Sequence, residues 1–477
     1  MTAQSLIQEF FAPLLSREDM GFDEILEELR EHTILDSQSR YFDWTASGLA
    51  YEIIESRIRK ILPFYANTHS FSSTHARAMG ALYEEARFRL AKALELDEDF
   101  VLIGCGSGAS GAIKKFQELA GIYLPPATRA RFGLDSLLDS LPARPKVFIS
   151  AYEHHSNEIS LREGLCEVEK IALDSRGRFC LNDFSHKLQQ SAKNEKAKNE
   201  ATNQILASIA LASNVSGIIS PFVDIATIFR QHASEGILAF DAASSSPYMN
   251  IPSRYFDALF LAPHKLLGGV QSCGLLAVRK SLCANPTPSF SGGGTIEYAS
   301  DDGQLYVENL AHKEEAGTPY IIGLLRAALA YQLRNEIGLE RIRRRERVLS
   351  HIFLKELRTI PALTLYGDWS GAEENLGIFS FNIACVSPFE LSGLLSQRFG
   401  IQTRAGCSCA GPYGHYLMEL DSLAFDDRES KRALCDLLQN PHKRPGWLRI
   451  SLHYTHSIED IEYLIECLHK CVKILRT

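Results

Sequence analysis

Chemistry is concentrated first in Asp257–Val278, DALFLAPHKLLGGVQSCGLLAV, where two apolar runs flank His264 and Lys265. A lysine held between buried strands is costly to keep charged, because burial disfavours the ammonium form. The same cost makes it a nucleophile towards carbonyls, able to form an imine. A lysine so placed ordinarily runs its stem out to solvent. What argues for chemistry here is the set of groups found at other strand ends.

Phe100–Phe116, FVLIGCGSGASGAIKKF, reads as a strand entering a glycine-rich turn and then a helix. Free N–H groups at that helix start, with Ala109 and Ser110 among them, make a site for a phosphate. Gly106–Gly111 also satisfies the dinucleotide pattern G-x-G-x-x-G, which requires an acid about 20 residues on, at a strand end. The region there, LPPATRARFGLDSLL, is broken by prolines, and its Asp135 is not at a strand end. A phosphate cup is therefore expected rather than the nicotinamide site of an oxidoreductase. The strand Lys146–Tyr152 ends in EHHSNE, where His154 and His155 lie where open α/β sheets place ligands. Adjacent histidines point in different directions and no third ligand follows at zinc spacing, so no metal site is expected. A flat imidazole stacked on an aromatic ring fits as well. Two later runs, Ile205–Ala212 and Ile237–Phe240, end in Asn214 and Asp241. An amine, a buried carboxylate, a stacking ring and a phosphate cradle together describe a site for pyridoxal 5′-phosphate. An acid beside the pyridine nitrogen keeps it protonated, and a lysine holds the aldehyde.

The elements that must position these groups alternate between strand and helix, which implies βαβ units and a largely parallel sheet. Three parts are expected: a helical segment over 1–40, a large α/β domain over 41–326 and a small α+β domain over 327–477. Tyr41–Ala50 reads as a short strand ending in small residues, which allow a close backbone approach. Ser73 or Thr74 is expected to cap a helix over Ala76–Leu94. Residues 186–204 read as an exposed helix or insertion without chemistry. A long helix is expected from about Ala327 through Leu357, with strands near Leu363–Tyr366, Ile378–Ile383 and Gly446–Leu452. The arginines at 341, 343, 344, 345 and 347 alternate with Glu340 and Glu346, as on a solvated helix face.

Composition narrows the function classes. The 477 residues are 45% hydrophobic and 23% charged, with a formal charge of −8, so neither nucleic acid nor an anionic membrane is the expected partner. No apolar run reaches membrane-spanning length, and the first 20 residues lack a basic leader. Eleven cysteines without disulfide-framework spacing fit a reducing compartment, and the cytoplasm is expected.

With these residues in hand, the chain resembles the class V, fold-type I pyridoxal-phosphate enzymes of the cysteine desulfurase and selenocysteine lyase group. The likeness runs over about Tyr41–Lys470 and rests on YFDWTASG, YANTHS, GSGASGAIKK, EHHSNE, SNVSG, the Asp of AFDAASS, the Lys of APHKLLGG, SFSGGGTI, EAGTP, TRAGCSCAGP and the Arg of WLRIS. It implies a mostly parallel seven-stranded sheet in the large domain and a smaller α+β C-terminal domain. It implies that Lys265 is the Schiff-base lysine, that Asp241 pairs with the pyridinium nitrogen and that His154 stacks on the ring. Asn214 would contact the ring hydroxyl, and Ala109, Ser110 and His264 would serve the phosphate. Thr318 would reach the phosphate of a partner subunit, making the enzyme a homodimer. Arg449 would clamp the α-carboxylate of a small amino acid, with Arg404, His69 and Asn67 nearby.

Cys409 aligns with the family's persulfide cysteine in R-x-G-x-x-C-A, and Arg404 precedes it by five positions. The expected reaction is cleavage of a C–S or C–Se bond to give alanine, with sulfur passed to Cys409 and onward to an acceptor protein. Transamination, epimerisation or β-elimination would not need the thiol. Three positions depart from the family pattern: Ser244 where Gln is usual, Pro263 where Ser or Thr is usual, and Ala109–Ser110 in place of a threonine pair. Cys407 stands where His is frequent, and could resolve a persulfide or pair with Cys409.

Overall fold

Seven strands form one sheet in the computed structural model, which describes residues 2–16, 20–134, 144–198, 205–371, 375–420, 432 and 444–476. In chain order its strands are β1 (Phe100–Cys105), β2 (Lys146–Ile149), β3 (Glu167–Lys170), β4 (Ile205–Ala210), β5 (Ile237–Asp241), β6 (Ala258–Leu261) and β7 (Gly274–Arg279). Their spatial order is β1-β7-β6-β5-β4-β2-β3. Only β7 runs against its neighbours; the others point the same way. Every residue of β4 and β5 is buried, as expected for strands covered on both faces by helices. Six carboxyl ends therefore meet along one edge, where crossover folds collect their ligands. The expected mostly parallel seven-stranded sheet of an α/β fold is present, with β7 as its antiparallel member.

Helices carry the chain between these strands and around them. They include α1 (Ala3–Phe10), α2 (Phe22–Glu31), α3 (Thr74–Ala93), α4 (Gly108–Leu119), α5 (His155–Arg162) and α6 (Leu181–Lys198). Ser73 caps α3, its side chain accepting from the Ala76 N–H at 3.2 Å. The stretch expected to be an exposed helix or insertion is the crossover helix α6, with Phe184 and Leu188 buried in the main core, while residues 199–204, like Asp135, lie outside the described residues. Instead of one long helix from Ala327, two follow: α7 (Ile321–Ile337) and α8 (Leu339–Leu357). The break falls at Gly338, whose φ of 92° lies where glycine is favoured over other residues. On α8 the arginine face is only partly solvated. Glu346 is buried, pairs with Arg343 and accepts from the Gly377 N–H, and Arg345 donates to the His456 carbonyl.

A second sheet is built from β8 (Leu363–Leu365), β9 (Ile378–Ile383), β10 (Arg404–Gly406) and β11 (Trp447–Ser451), antiparallel in the order β8-β9-β11-β10. Its core joins Phe353, Phe379, Phe381, Leu448, Ile450 and Leu464. Each such fully buried side chain contributes roughly 1.5–3 kcal/mol. Short helix α9 (Gly411–Leu417) follows the cysteine loop, and α10 (Ile458–Leu475) closes the chain.

Tyr41–Ala50 is not the expected strand. Arg40–Tyr41 pairs with Ile401–Gln402 and Asp43 bridges Ser451, and the chain then turns irregularly towards Lys265. Gly48 donates to the His264 carbonyl at 2.8 Å. A Cβ on Gly48 would stand 2.1 Å from the Leu266 oxygen, so only glycine fits beneath the lysine turn. The small residues serve close approach, and that requirement overrode the strand.

Candidate active site

The sheet edge opens into a cleft. Ten of the residues singled out from the sequence line it: Ala109, Ser110, His154, Asn214, Asp241, His264, Lys265, Arg404, Cys409 and Arg449. Three do not. Asn67 donates from Nδ2 to the Thr318 hydroxyl at 3.0 Å and accepts from the His69 N–H at 2.7 Å. The His69 ring packs against Gly294. Asn67, His69 and Thr318 thus form a separate group away from the cleft of their own chain.

Lys265 ends a short 3-10 turn, Pro263–Lys265, that follows β6. Desolvation brings its pKa down to about 8, with the Arg449 and Arg404 charges adding to the fall and Asp241 opposing it. Asp241 closes β5, is buried and accepts from the Ala243 N–H at 2.9 Å. Burial raises its pKa, while the Ala243 bond and Lys265 hold it back. These two groups are a carboxylate and an amine in one low-dielectric cleft.

His154 is the N-cap of α5, its Nδ1 accepting from the Ser156 N–H at 3.1 Å. The proton of the neutral ring therefore sits on Nε2. Desolvation, then the Lys265 charge, brings its pKa down to about 4, so the ring is uncharged near neutrality. His264 is likewise lowered to about 4, by desolvation first and Lys265 second. Its ring covers Gly108, whose φ is +55°, and a Cβ there would come within 2.8 Å of it.

The start of α4 is free for an anion. Ser107 makes no side-chain cap bond there and the first turn carries no acid, which leaves amide N–H groups facing outward. Ser110 and Ser156 hydroxyls meet at 2.6 Å, tying this turn to α5. The Asn214 Oδ1 is buried and has no protein partner among the described residues, while its Nδ2 donates to the Ser408 carbonyl at 2.7 Å. An uncapped helix start, a buried carboxylate, an orphaned amide oxygen and an amine of lowered pKa fit a phosphorylated pyridine aldehyde. Among the described residues no group of three His, Cys, Asp or Glu side chains could hold a metal ion.

Two arginines stand side by side at the edge of the small sheet, since Arg404 and Arg449 are paired in the β10–β11 register. Arg449 is 1% exposed. It donates from Nη1 to the Asn214 carbonyl at 3.1 Å and from Nη2 to Asp43 at 2.7 Å. Arg404 Nη2 stands 3.9 Å from the Cys409 sulfur. Cys407 does not line the cleft and packs against the main core. Ser244 lines the cleft near Asp241, and Pro263 opens the lysine turn.

Several site residues escaped the sequence reading. Asp43 lies inside the motif YFDWTASG, and nothing local in the sequence pairs it with Arg449. Glu153 precedes the histidines and is wholly buried. It accepts from the Ser150 and Ala210 N–H groups and from Asn157, which pins β2 to β4. Burial, first of its causes, raises its pKa to about 7. Glu315, in EAGTP, takes a bidentate grip on Arg87 at 2.8 and 2.9 Å and accepts from the Gly104 N–H at 2.6 Å. That anchors the Thr318 loop to β1.

Comparison with known proteins agrees with this geometry. A probable cysteine desulfurase of Pyrococcus abyssi is 25% identical over 464 residues, covering 95% of this chain and 99% of the relative. One from Xylella fastidiosa is 32% identical over 316 residues, 63% of this chain and 71% of the relative. Among solved structures, the apo cysteine desulfurase of Thermococcus onnurineus superposes with a TM-score of 0.73 at 23% identity, covering 94% of this chain and 98% of that one. The Escherichia coli cysteine desulfurase CsdA, in its S-sulfonic acid form, gives 0.68 at 17% identity over 95% and 99%. The aminotransferase class-V family model matches residues 130–464. This chain belongs to the aminotransferase class-V family, and its cofactor is pyridoxal 5′-phosphate.

Proposed function

We propose that the enzyme is a cysteine desulfurase, converting cysteine to alanine while Cys409 takes the sulfur as a persulfide. The observation that carries this is the Cys409 thiol in the same cleft as Lys265, 3.9 Å from the Arg404 guanidinium. The curated relatives named above bear the same activity in their names. A transaminase or epimerase has no use for a thiol there.

Bound in the cleft, the cofactor supplies an electron sink for bond cleavage next to the substrate α-carbon. Lys265 would hold its aldehyde, Asp241 would keep a proton on the ring nitrogen, and neutral His154 would cover the ring. The α4 amides at Ala109 and Ser110, with His264, would take the phosphate, and Asn214 would offer a partner to the ring hydroxyl. Arg449 takes the substrate carboxylate, with Arg404 alongside. With its pKa near 8, Lys265 is also the group able to shuttle a proton at the α-carbon near neutral pH. The sulfur balance is closed by the protein: cysteine and the Cys409 thiol become alanine and a Cys409 persulfide. A reductant or an acceptor protein then removes the outer sulfur.

Thr318, bound by Asn67 outside its own cleft, would reach the phosphate of a second copy in a homodimer. Ten unpaired cysteines among the described residues suit a cytoplasmic setting. Among those residues no helix is long and apolar enough to cross a membrane.

The test is alanine and sulfide production from cysteine with a thiol reductant, with selenocysteine offered in parallel. The wild type should form alanine from cysteine, and Cys409→Ala should lose that activity while keeping the cofactor's visible absorbance. Alanine formation undiminished in Cys409→Ala would remove the thiol from the reaction.

A further inference from the structure

The second histidine of the EHH run has no part in the chemistry above, yet it holds the cysteine loop at two points. Its backbone N–H donates to the Cys409 carbonyl at 2.9 Å. Its Nε2 accepts from the Gly411 N–H at 2.7 Å. Gly411 opens α9, and Ala410, at the N-cap position, offers no capping side chain. His155 therefore caps from a distant element the helix that follows the thiol, while His154 caps its own.

The loop needs such a clamp. Ser408 and Cys409 both sit at positive φ, 52° and 58°. Residues other than glycine adopt that conformation only where the surroundings impose it. The Asn214 amide on the Ser408 carbonyl and the two His155 bonds bracket these residues. Released from them, the loop would relax to ordinary backbone angles and carry the sulfur away from Arg404.

We propose that His155 is the positioning residue that latches the Cys409 loop over the cofactor cleft, setting the thiol where it can meet the substrate sulfur. This rests on the reading of Cys409 as sulfur acceptor and adds to it the group that holds the thiol in place. Opening the latch would then let the loaded sulfur reach an acceptor.

The experiment compares the wild-type holoenzyme with His155→Leu and His155→Gln. Leucine removes the acceptor and keeps the bulk; glutamine restores an acceptor oxygen at similar reach. The backbone bond to Cys409 survives in both, so the fold keeps one tether. In His155→Leu, hydrogen exchange in the peptide spanning 406–417 should quicken about tenfold. Turnover to alanine should fall about tenfold, with KM for cysteine within about twofold and the cofactor spectrum unchanged. His155→Gln should recover most of both losses. The latch is overturned if exchange in His155→Leu matches the wild type, if KM moves while kcat does not, or if glutamine is as impaired as leucine. If the wild type makes no alanine from cysteine, the desulfurase reading falls alone, because the exchange comparison still decides whether His155 holds the loop.

Discussion

Arg449 reaches the cleft already engaged, its guanidinium bound to Asp43 at 2.7 Å. The arginine is almost wholly buried, with its Nε unpartnered among the described residues. Asp43 is thus the counter-charge for a cation that is costly to bury alone. It also orients the guanidinium while leaving it short of hydrogen-bond partners, which a substrate carboxylate would supply.

Asp43→Ala should therefore lower the stability of the cofactor-free protein by about 3–5 kcal/mol at pH 7. Added alanine, a carboxylate without reactive sulfur, should recover part of the loss and raise the melting temperature more in the variant than in the wild type. Calorimetry with and without alanine checks this. Equal shifts in both proteins would mean that Asp43 and the ligand do not share Arg449.

Lys265 gives a pH prediction with a definite sign. Its pKa in the cofactor-free protein is about 8, below the usual 10.5. Below pH 8 the folded and unfolded states both carry the proton, and the cost of the enclosed ammonium is fully present. Between 8 and 10.5 the unfolded chain binds more protons, so stability rises with pH as that cost disappears. Lys265→Met should accordingly melt higher than the wild type at pH 7, and the gap should close as the pH rises towards 10. In the same range, capture of added pyridoxal 5′-phosphate by the wild-type apoprotein should quicken with pH, with a midpoint near 8. Borohydride trapping followed by peptide mapping reads that rate at Lys265.

The groups that strand ends deliver were legible from the chain, and those that distant segments deliver were not. Six strands share a direction, so whatever follows Cys105, Ile149, Ala210, Asp241 and Leu261 must gather at one edge, and Ser110, His154, Asn214, Asp241 and Lys265 do. No periodicity announces that Asp43 will meet Arg449 or that Glu315 will meet Arg87, more than two hundred residues away in each case. The EHH run shows His155 only as an imidazole at a strand end, and its bond to the Gly411 N–H depends on a loop that the sheet pattern does not place. The misreadings have local causes. Gly48 lies in a run that looks like a strand but must pass under Leu266, and Gly338 interrupts an otherwise continuous helical pattern.

Glu315 predicts a structural effect that reaches the site indirectly. Its side chain and that of Arg87 are both buried, and Tyr83 also donates to it at 3.0 Å. Glu315→Gln keeps the shape but removes the charge, leaving Arg87 without its bidentate partner. The expected loss is about 3–5 kcal/mol in denaturant unfolding. The Gly317–Pro319 turn should also loosen, seen as faster hydrogen exchange there. An unchanged midpoint would show that the pair adds nothing beyond packing.

The same turn leads to the last prediction. Asn67 and Thr318 are hydrogen-bonded to each other outside the cleft, and the Gly317 N–H donates to the Gly293 carbonyl at 2.6 Å. The segments so joined carry Phe71, Phe290 and Tyr320, which are 81%, 69% and 55% exposed. Large aromatic side chains so exposed on one linked set of loops would suit a surface that another protein covers. A second copy of the chain is the occupant proposed here, because it would bring Thr318 to a phosphate that its own cleft cannot offer it. Sedimentation at micromolar concentration should show a dimer. The double substitution Phe71→Ser, Phe290→Ser should move the population towards monomer. Thr318→Ala should leave the dimer intact but weaken retention of pyridoxal 5′-phosphate by about tenfold in dialysis, the loss expected of one hydrogen bond to a charged group. A wild-type monomer that holds its cofactor fully, or a Thr318→Ala dimer that holds it as tightly as the wild type, would refute the shared site.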